Sequence, residues 1–225
     1  MLQNEEQDEA NFISNLAYQA PKERQSFLDK SKFMNDFFID ADANHKHHVS
    51  VHSKRDHKIY IGHRGTVNAK DVLTDAYLAS GRLASTDRYK ESSQLSKNVH
   101  EQYNKTKDIV EVGHSLGGTL ADQIARQHGG RSIAFNMGAT PLSHYGKNVS
   151  EQHQHIRTDN DPVSHFSSGA TKTIKHPKRK LERTIDALEK TMPSGPVTKW
   201  KGTLGIRAAS ALLGHSLSNF SGAFD

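Results

Sequence analysis

The stretch DIVEVGHSLGGTLADQIA, residues 108–125, sets Ser115 in a Gly-His-Ser-Leu-Gly frame between an apolar run and a helical run. The apolar residues within 109–112 are β-branched, which is typical of a short buried strand. After the serine, leucine or isoleucine recurs at every fourth position and predicts a helix with one buried face. We therefore expect a strand, a sharp turn at Ser115 and a helix.

That arrangement is a nucleophile elbow, in which a strained turn exposes a serine at the end of a strand. Gly113 and Gly117 flank Ser115, with His114 between, where larger side chains would block the turn and the approach of the helix. The helix N-terminus directs backbone N–H groups toward the serine, and the N–H of Leu116 is the first candidate oxyanion donor. The alternative interpretation is a glycine-rich strand–helix turn with an idle serine.

The composition points to one solvated domain. A chain of 225 residues can bury a single core, although the mean hydropathy of −0.75 indicates polar extensions. Cysteine is absent, which excludes disulfides, a thiol nucleophile and cysteine-ligated metal. The sequence has no recognisable signal peptide or membrane-spanning run, so we expect a soluble protein whose compartment stays open.

Strand and helix patterns alternate through the middle of the chain. This alternation predicts an α/β fold with a mainly parallel central sheet flanked by helices. We expect residues 1–225 to form one domain with a polar helical N-terminal extension over about 1–40. HVSVH and KIYIGH predict a β-hairpin, and about 165–201 is interpreted as a basic insertion.

GHSLGG (113–118) together with the upstream GHRGT (62–66) resembles the class 3, or fungal-type, lipase family of the α/β-hydrolase superfamily. The resemblance runs from about residue 58 to 163. It implies an α/β-hydrolase-like fold and a serine carboxylester hydrolase that acts on lipid esters through a Ser-Asp-His triad. It also implies a second oxyanion donor at Thr66, after Arg64 and Gly65.

In α/β-hydrolases the acid and the histidine follow the serine along the chain. Asp161 begins an Asp-Pro-Val tripeptide that is similar to the family's acid position, and Asp159 is the alternative. His215 lies near the C-terminus, where the family also keeps its base, and His165 is the first replacement. The resemblance thus implies a triad of Ser115, Asp161 and His215.

The segment that corresponds to the lipase lid, VNAKDVLTDAYL (67–78), has no tryptophan. A lid of that family usually carries a bulky aromatic, so strong interfacial activation is not expected. No cofactor is needed for serine chemistry. The histidine-rich HKHHVSVH and HQH match no metal-binding motif, so no metal is predicted.

Positive charge is concentrated in one segment. Residues 165–201 hold nine Lys/Arg against three Asp/Glu, a net charge of +6, whereas the rest of the chain sums to about −1. We expect either a solvated face or peripheral binding to an anionic membrane. Aromatic residues do not interleave with the charges, so nucleic acid is not an expected partner. The residues concerned are Lys172, Lys175, Lys178, Arg179, Lys180 and Arg183.

Two classes of function follow from the sequence. The first is a serine esterase or lipase, whose substrate is a lipid ester or a small soluble ester. The second is a non-catalytic, lipase-like structural or binding protein, which the polar composition and the lid segment would suit. The oligomeric state is left open.

Overall fold

The computed structural model describes residues 2–66, 86–103, 105–138, 150–159, 161 and 172–174. Seven strands form one sheet in the order β1-β2-β3-β4-β5-β6-β7. β1, β2 and β3 pair in antiparallel fashion, and every pair from β3 to β7 is parallel. The strands are β1 (Phe37–Asn44), β2 (His48–Ser53), β3 (Lys58–His63), β4 (Asp108–His114), β5 (Arg131–Phe135), β6 (His153–Thr158) and β7 (Lys172–Ile174).

Helices cover both faces of this sheet. The described helices are α1 (Leu2–Tyr18), α2 (Pro21–Asp29), α3 (Asp87–Tyr103) and α4 (Leu116–His128). α1 packs on one face, where Ile13 and Leu16 share a core with Val110 and Val112 of β4. On the other face, Val99 of α3 packs among apolar residues of β3 and β4. The expected α/β architecture, a mainly parallel sheet flanked by helices, is confirmed.

The central strands and helices agree with the sequence patterns, and the sheet has a further strand at each edge. β2 and β3 form the predicted hairpin, with Val51 opposite Tyr60. β1 was not predicted as a strand, because aspartate, alanine and asparagine in its second half are not typical strand residues. In the structure this strand lies at the edge of the sheet and is partly exposed. Its register also shifts between Ile39 and Asn44. At the opposite edge, the three residues of β7 come from the basic segment.

The N-terminal helices are built into the core. Ala10, Ile13 and Leu16 of α1 are completely buried against the sheet. Arg24 of α2 is also completely buried, and its guanidinium donates to the carbonyls of His45 at 2.7 Å and His48 at 2.9 Å. Since buried polar groups need partners, this arginine fixes α2 to the turn between β1 and β2.

A polar network around a buried carboxylate lies against β4. Glu111 of β4 is completely buried, and one carboxylate oxygen lies 2.6 Å from Nε2 of His63, the last residue of β3. The other oxygen accepts a hydrogen bond from Ser96 and lies 3.5 Å from Nε2 of His100, both in α3. The network therefore connects β4, α3 and the end of β3, which leads into the GHRGT loop.

The partners of Glu111 keep it ionised. Burial by itself raises the pKa of a carboxyl group, but the contacts with His100, His63 and Ser96 and the charge of His63 outweigh burial and lower the pKa of Glu111 to about 2. A carboxylate with a depressed pKa contributes stability that is present above its ordinary pKa and is lost as the pH falls through the folded value.

We expect the Glu111 network to weaken in acid. Between pH 5 and pH 2 the wild-type protein should lose about 3 kcal/mol more of its free energy of unfolding than Glu111→Gln, which has no titrating group at this position. Urea unfolding at several pH values measures this difference. Glu101→Gln, an exposed change on α3, should follow the wild type. Equal acid losses in wild type and Glu111→Gln would contradict the assignment.

Candidate active site

The predicted site residues that the structure describes lie at the carboxyl ends of the central strands. β3, β4, β5 and β6 are neighbouring parallel strands, so their carboxyl ends lie side by side. Thr66 follows β3, Ser115 follows β4 and Asp161 follows β6. Ligand and catalytic sites of open α/β sheets lie at this edge.

Ser115 has the backbone geometry of a nucleophile elbow. It stands between β4 and α4 with φ 57° and ψ −126°, a region that L-residues rarely adopt. Its N–H donates to the carbonyl of Phe135 at 3.0 Å, and its carbonyl accepts the N–H of Thr119 at 3.1 Å. Such a conformation persists only where the surroundings enforce it, and these two hydrogen bonds supply part of that constraint.

The glycines on either side of Ser115 are required by close packing. A Cβ on Gly113 would overlap the backbone of Gly117, and a Cβ on Gly117 would overlap the carbonyl oxygen of His63. The first contact brings α4 down onto β4, and the second presses α4 against the start of the GHRGT loop. The glycines therefore allow three backbone segments to meet around the serine.

The two predicted oxyanion donors, Leu116 and Thr66, belong to backbone segments that meet at this point. Leu116 is the first residue of α4, where an N–H group has no acceptor within the helix. Thr66 lies on the loop that Gly117 contacts through His63, Arg64 and Gly65. The N–H of Arg64 donates to the carbonyl of His47 at 2.8 Å, which ties this loop to the hairpin.

Burial separates the two candidate acids. Asp161 is completely buried, whereas Asp159 is exposed. Asn136, with φ 42° directly after β5, accepts the N–H of Thr158 on its side-chain oxygen at 2.9 Å. Thr158 in turn accepts the N–H of Asp161 at 3.4 Å. Asn136 thus ties the end of β5 to the turn that carries Asp161, a role that the sequence analysis did not identify.

The residue before the nucleophile contacts the N-terminal helix. The hydroxyl of Tyr18 lies 3.0 Å from Nδ1 of His114 and donates to the His114 carbonyl at 3.4 Å. Burial raises the pKa of Tyr18 far above its usual value, so its hydroxyl keeps its proton. Tyr18 was not a predicted site residue, because nothing in a helix of polar and apolar residues marks one tyrosine as a neighbour of residue 114.

Several predicted features lie outside the described residues. They are the histidines His165, His176 and His215, the lid segment 67–78, and the basic residues Lys175, Lys178, Arg179, Lys180 and Arg183. Lys172 lies in β7, and its ammonium group donates to Gln7 at 2.8 Å. Binding to an anionic membrane stays a prediction.

The part of the chain that the structure describes contains no group of three or more His, Asp or Glu side chains that could hold a metal ion. No described helix is long and apolar enough to cross a membrane.

The sheet order, the strained serine between strand and helix, and the loop at the same edge define an α/β-hydrolase-like protein. The chain belongs to UPF0227, an uncharacterised protein family whose model matches residues 74–191. The match includes Ser115 and Asp161 but not Thr66 or His215.

Among solved structures, that of Lip2 lipase from Yarrowia lipolytica is similar to this chain, with a TM-score of 0.48 and 16% sequence identity. The similarity covers 75% of this chain and 78% of that chain. No curated protein matches this sequence.

The strain at Ser115 predicts an unusual order of stability among variants. Ser115→Gly should be more stable than Ser115→Ala by about 1 kcal/mol, because glycine adopts φ 57° without a steric penalty. Urea unfolding of both variants measures the difference. The matched pair Ser26→Gly and Ser26→Ala, exposed within α2, should show the opposite order, since glycine destabilises a helix interior. The same order at both positions would contradict strain at Ser115.

Proposed function

We propose that the protein is a serine carboxylester hydrolase of the lipase type, with Ser115 as nucleophile, Asp161 as acid and His215 as base. The observation that carries this proposal is the backbone of Ser115, which is held at φ 57° and ψ −126° at the N-terminus of α4. Strain of this kind is costly, and an elbow uses it to hold a hydroxyl at the mouth of a site.

The first half of the reaction acylates the serine. Ser115 Oγ attacks the carbonyl carbon of the ester while His215 takes the hydroxyl proton. The negative charge that develops on the carbonyl oxygen is stabilised by the N–H groups of Leu116 and Thr66 and by the positive end of the α4 dipole. When the intermediate collapses, the C–O bond to the alcohol breaks and His215 returns the proton to the leaving oxygen.

The second half releases the acid. Water gives a proton to His215 as its oxygen attacks the acyl carbon, and the bond to Ser115 breaks as the serine recovers that proton. Asp161 accepts a hydrogen bond from the ring of His215 and stabilises its charged form. The complete burial of Asp161 supports this assignment over the exposed Asp159, because a buried carboxylate interacts more strongly with a charged ring.

The lipid character of the substrate rests on the resemblance of GHSLGG and GHRGT to the class 3 lipases. The choice of His215 as the base rests on that resemblance and on the order of serine, acid and histidine along the chain.

Ser115→Ala should abolish both turnover and covalent labelling. We expect the wild type to hydrolyse p-nitrophenyl butyrate and to react with a fluorophosphonate probe. The variant should lose at least about a thousandfold in kcat and take up no probe, since the attacking oxygen is gone. Ser14→Ala, a change of a buried serine in α1, is the matched control and should keep its labelling.

A folded wild type that neither turns over ester nor reacts with the probe would leave the non-catalytic binding protein as the function.

The same two assays test the base. His215→Ala should lose turnover, whereas His165→Ala and His176→Ala should keep most of it. An active His215→Ala variant would make His165 the next candidate.

The two aspartates should differ sharply in the same assay. Asp161→Asn should lower kcat by about a thousandfold or more, because a neutral amide cannot stabilise the charged histidine. Asp159→Asn should stay within about threefold of the wild type, as its side chain is exposed. Steady-state kinetics on p-nitrophenyl butyrate distinguish them. A larger loss at Asp159 than at Asp161 would reverse the assignment of the acid.

A further inference from the structure

The loop that carries Thr66 is held by an arginine from α3. The Arg88 guanidinium donates from Nη2 to the carbonyl of Arg64 and, at 3.2 Å, to the carbonyl of Gly65. Arg88 is the second residue of α3 and is half-buried. Two consecutive carbonyls of the GHRGT loop therefore point toward one cation.

We propose that Arg88 is a positioning residue for the oxyanion hole, an inference that rests on the proposed function. The carbonyl of Gly65 and the N–H of Thr66 belong to the same planar trans peptide and point in opposite directions. A donor fixed on that carbonyl therefore sets the direction of the Thr66 N–H. Arg88 acts on the reacting carbonyl only through this peptide and does not contact the substrate.

The charge on Arg88 also makes the Thr66 N–H a stronger hydrogen-bond donor. A hydrogen bond to one side of a peptide polarises the group on the other side, and a charged donor does so more strongly than a neutral one. The Thr66 N–H thus becomes a better donor to an oxyanion. This contribution requires the cation, whereas positioning alone requires only a hydrogen bond.

A second contact closes the opposite side of the loop. A Cβ on Gly65 would overlap the hydroxyl of Tyr18 and would lie 2.6 Å from the carbonyl oxygen of His114. The Gly65 backbone is therefore confined between Tyr18 of α1 and the elbow, while Arg88 holds its carbonyl. Because the contacts with Tyr18 and the elbow remain, loss of Arg88 should rotate the Gly65–Thr66 peptide without unfolding the domain.

The test compares Arg88→Met, Arg88→Lys and the wild type in hydrolysis of p-nitrophenyl butyrate and in the rate of fluorophosphonate labelling. Arg88→Met should lower kcat and the labelling rate by about 10- to 100-fold with KM within about twofold, because loss of a whole oxyanion donor costs about 100- to 1,000-fold. Arg88→Lys keeps the charge, so its kcat and labelling rate should lie between those of Arg88→Met and the wild type. Guanidinium chloride at tens of millimolar should restore part of the Arg88→Met rate.

Lys97→Met, an exposed change on the same helix, is the matched control and should match the wild type with and without guanidinium. Potassium chloride at equal ionic strength should not rescue Arg88→Met. A purely structural role would lower the unfolding temperature without guanidinium rescue, and that result overturns the inference. So does a folded Arg88→Met with wild-type kcat.

If Arg88→Met does not fold, Arg88→Ala takes its place. A folded Arg88→Ala variant with the wild-type kcat and labelling rate overturns the inference, and a selective loss of kcat that Arg88→Lys partly restores supports it. An active wild type with an unaffected Arg88 variant leaves the proposed function standing. A wild type without turnover or labelling overturns both.

Discussion

The site depends on the close approach of three backbone segments around Ser115. Gly113 of β4 meets Gly117 of α4, and Gly117 meets the carbonyl of His63 at the end of β3. A methyl group at either glycine would separate these segments. The strained conformation of Ser115 is a consequence, because the chain must leave β4 and begin α4 within this space.

The strands beneath the site are joined by charge as well as by apolar packing. Val110 and Val112 of β4 face the apolar core under α1, while Glu111 between them faces α3 and its polar partners. A buried carboxylate is costly unless its lone pairs are satisfied, and here Ser96, His63 and His100 surround it. Because His63 is the last residue of β3, the network also fixes where the GHRGT segment leaves the sheet.

The N-terminal helices support the site through a few buried residues, although most of their residues are polar. α1 has a low mean apolar content, yet its buried face covers β4, and its last residue, Tyr18, reaches the elbow. Arg24 of α2 then secures the β1–β2 turn, to which Arg64 of the GHRGT loop is bonded through His47. Arg24 and Tyr18 thus connect the two N-terminal helices to the hairpin and to the elbow.

The sequence by itself determined the elements whose signals are local. The run 108–125 predicts a strand, a turn at Ser115 and a helix, because apolar periodicity and glycine placement act within a few residues. The hairpin of β2 and β3 and the parallel centre of the sheet follow in the same way. The acid stays a prediction, with Asp161 favoured by the resemblance and Asp159 as its alternative, because local pattern does not separate two aspartates in one turn.

Only the tertiary structure decided which distant side chains meet. Arg88 reaches the carbonyl of Gly65, 23 residues earlier, and Tyr18 contacts His114 across 96 residues. Burial separates Asp161 from Asp159, and sheet pairing recruits β1 and β7 at the edges. These features depend on packing between elements far apart in the chain, and composition and periodicity carry no signal for such contacts.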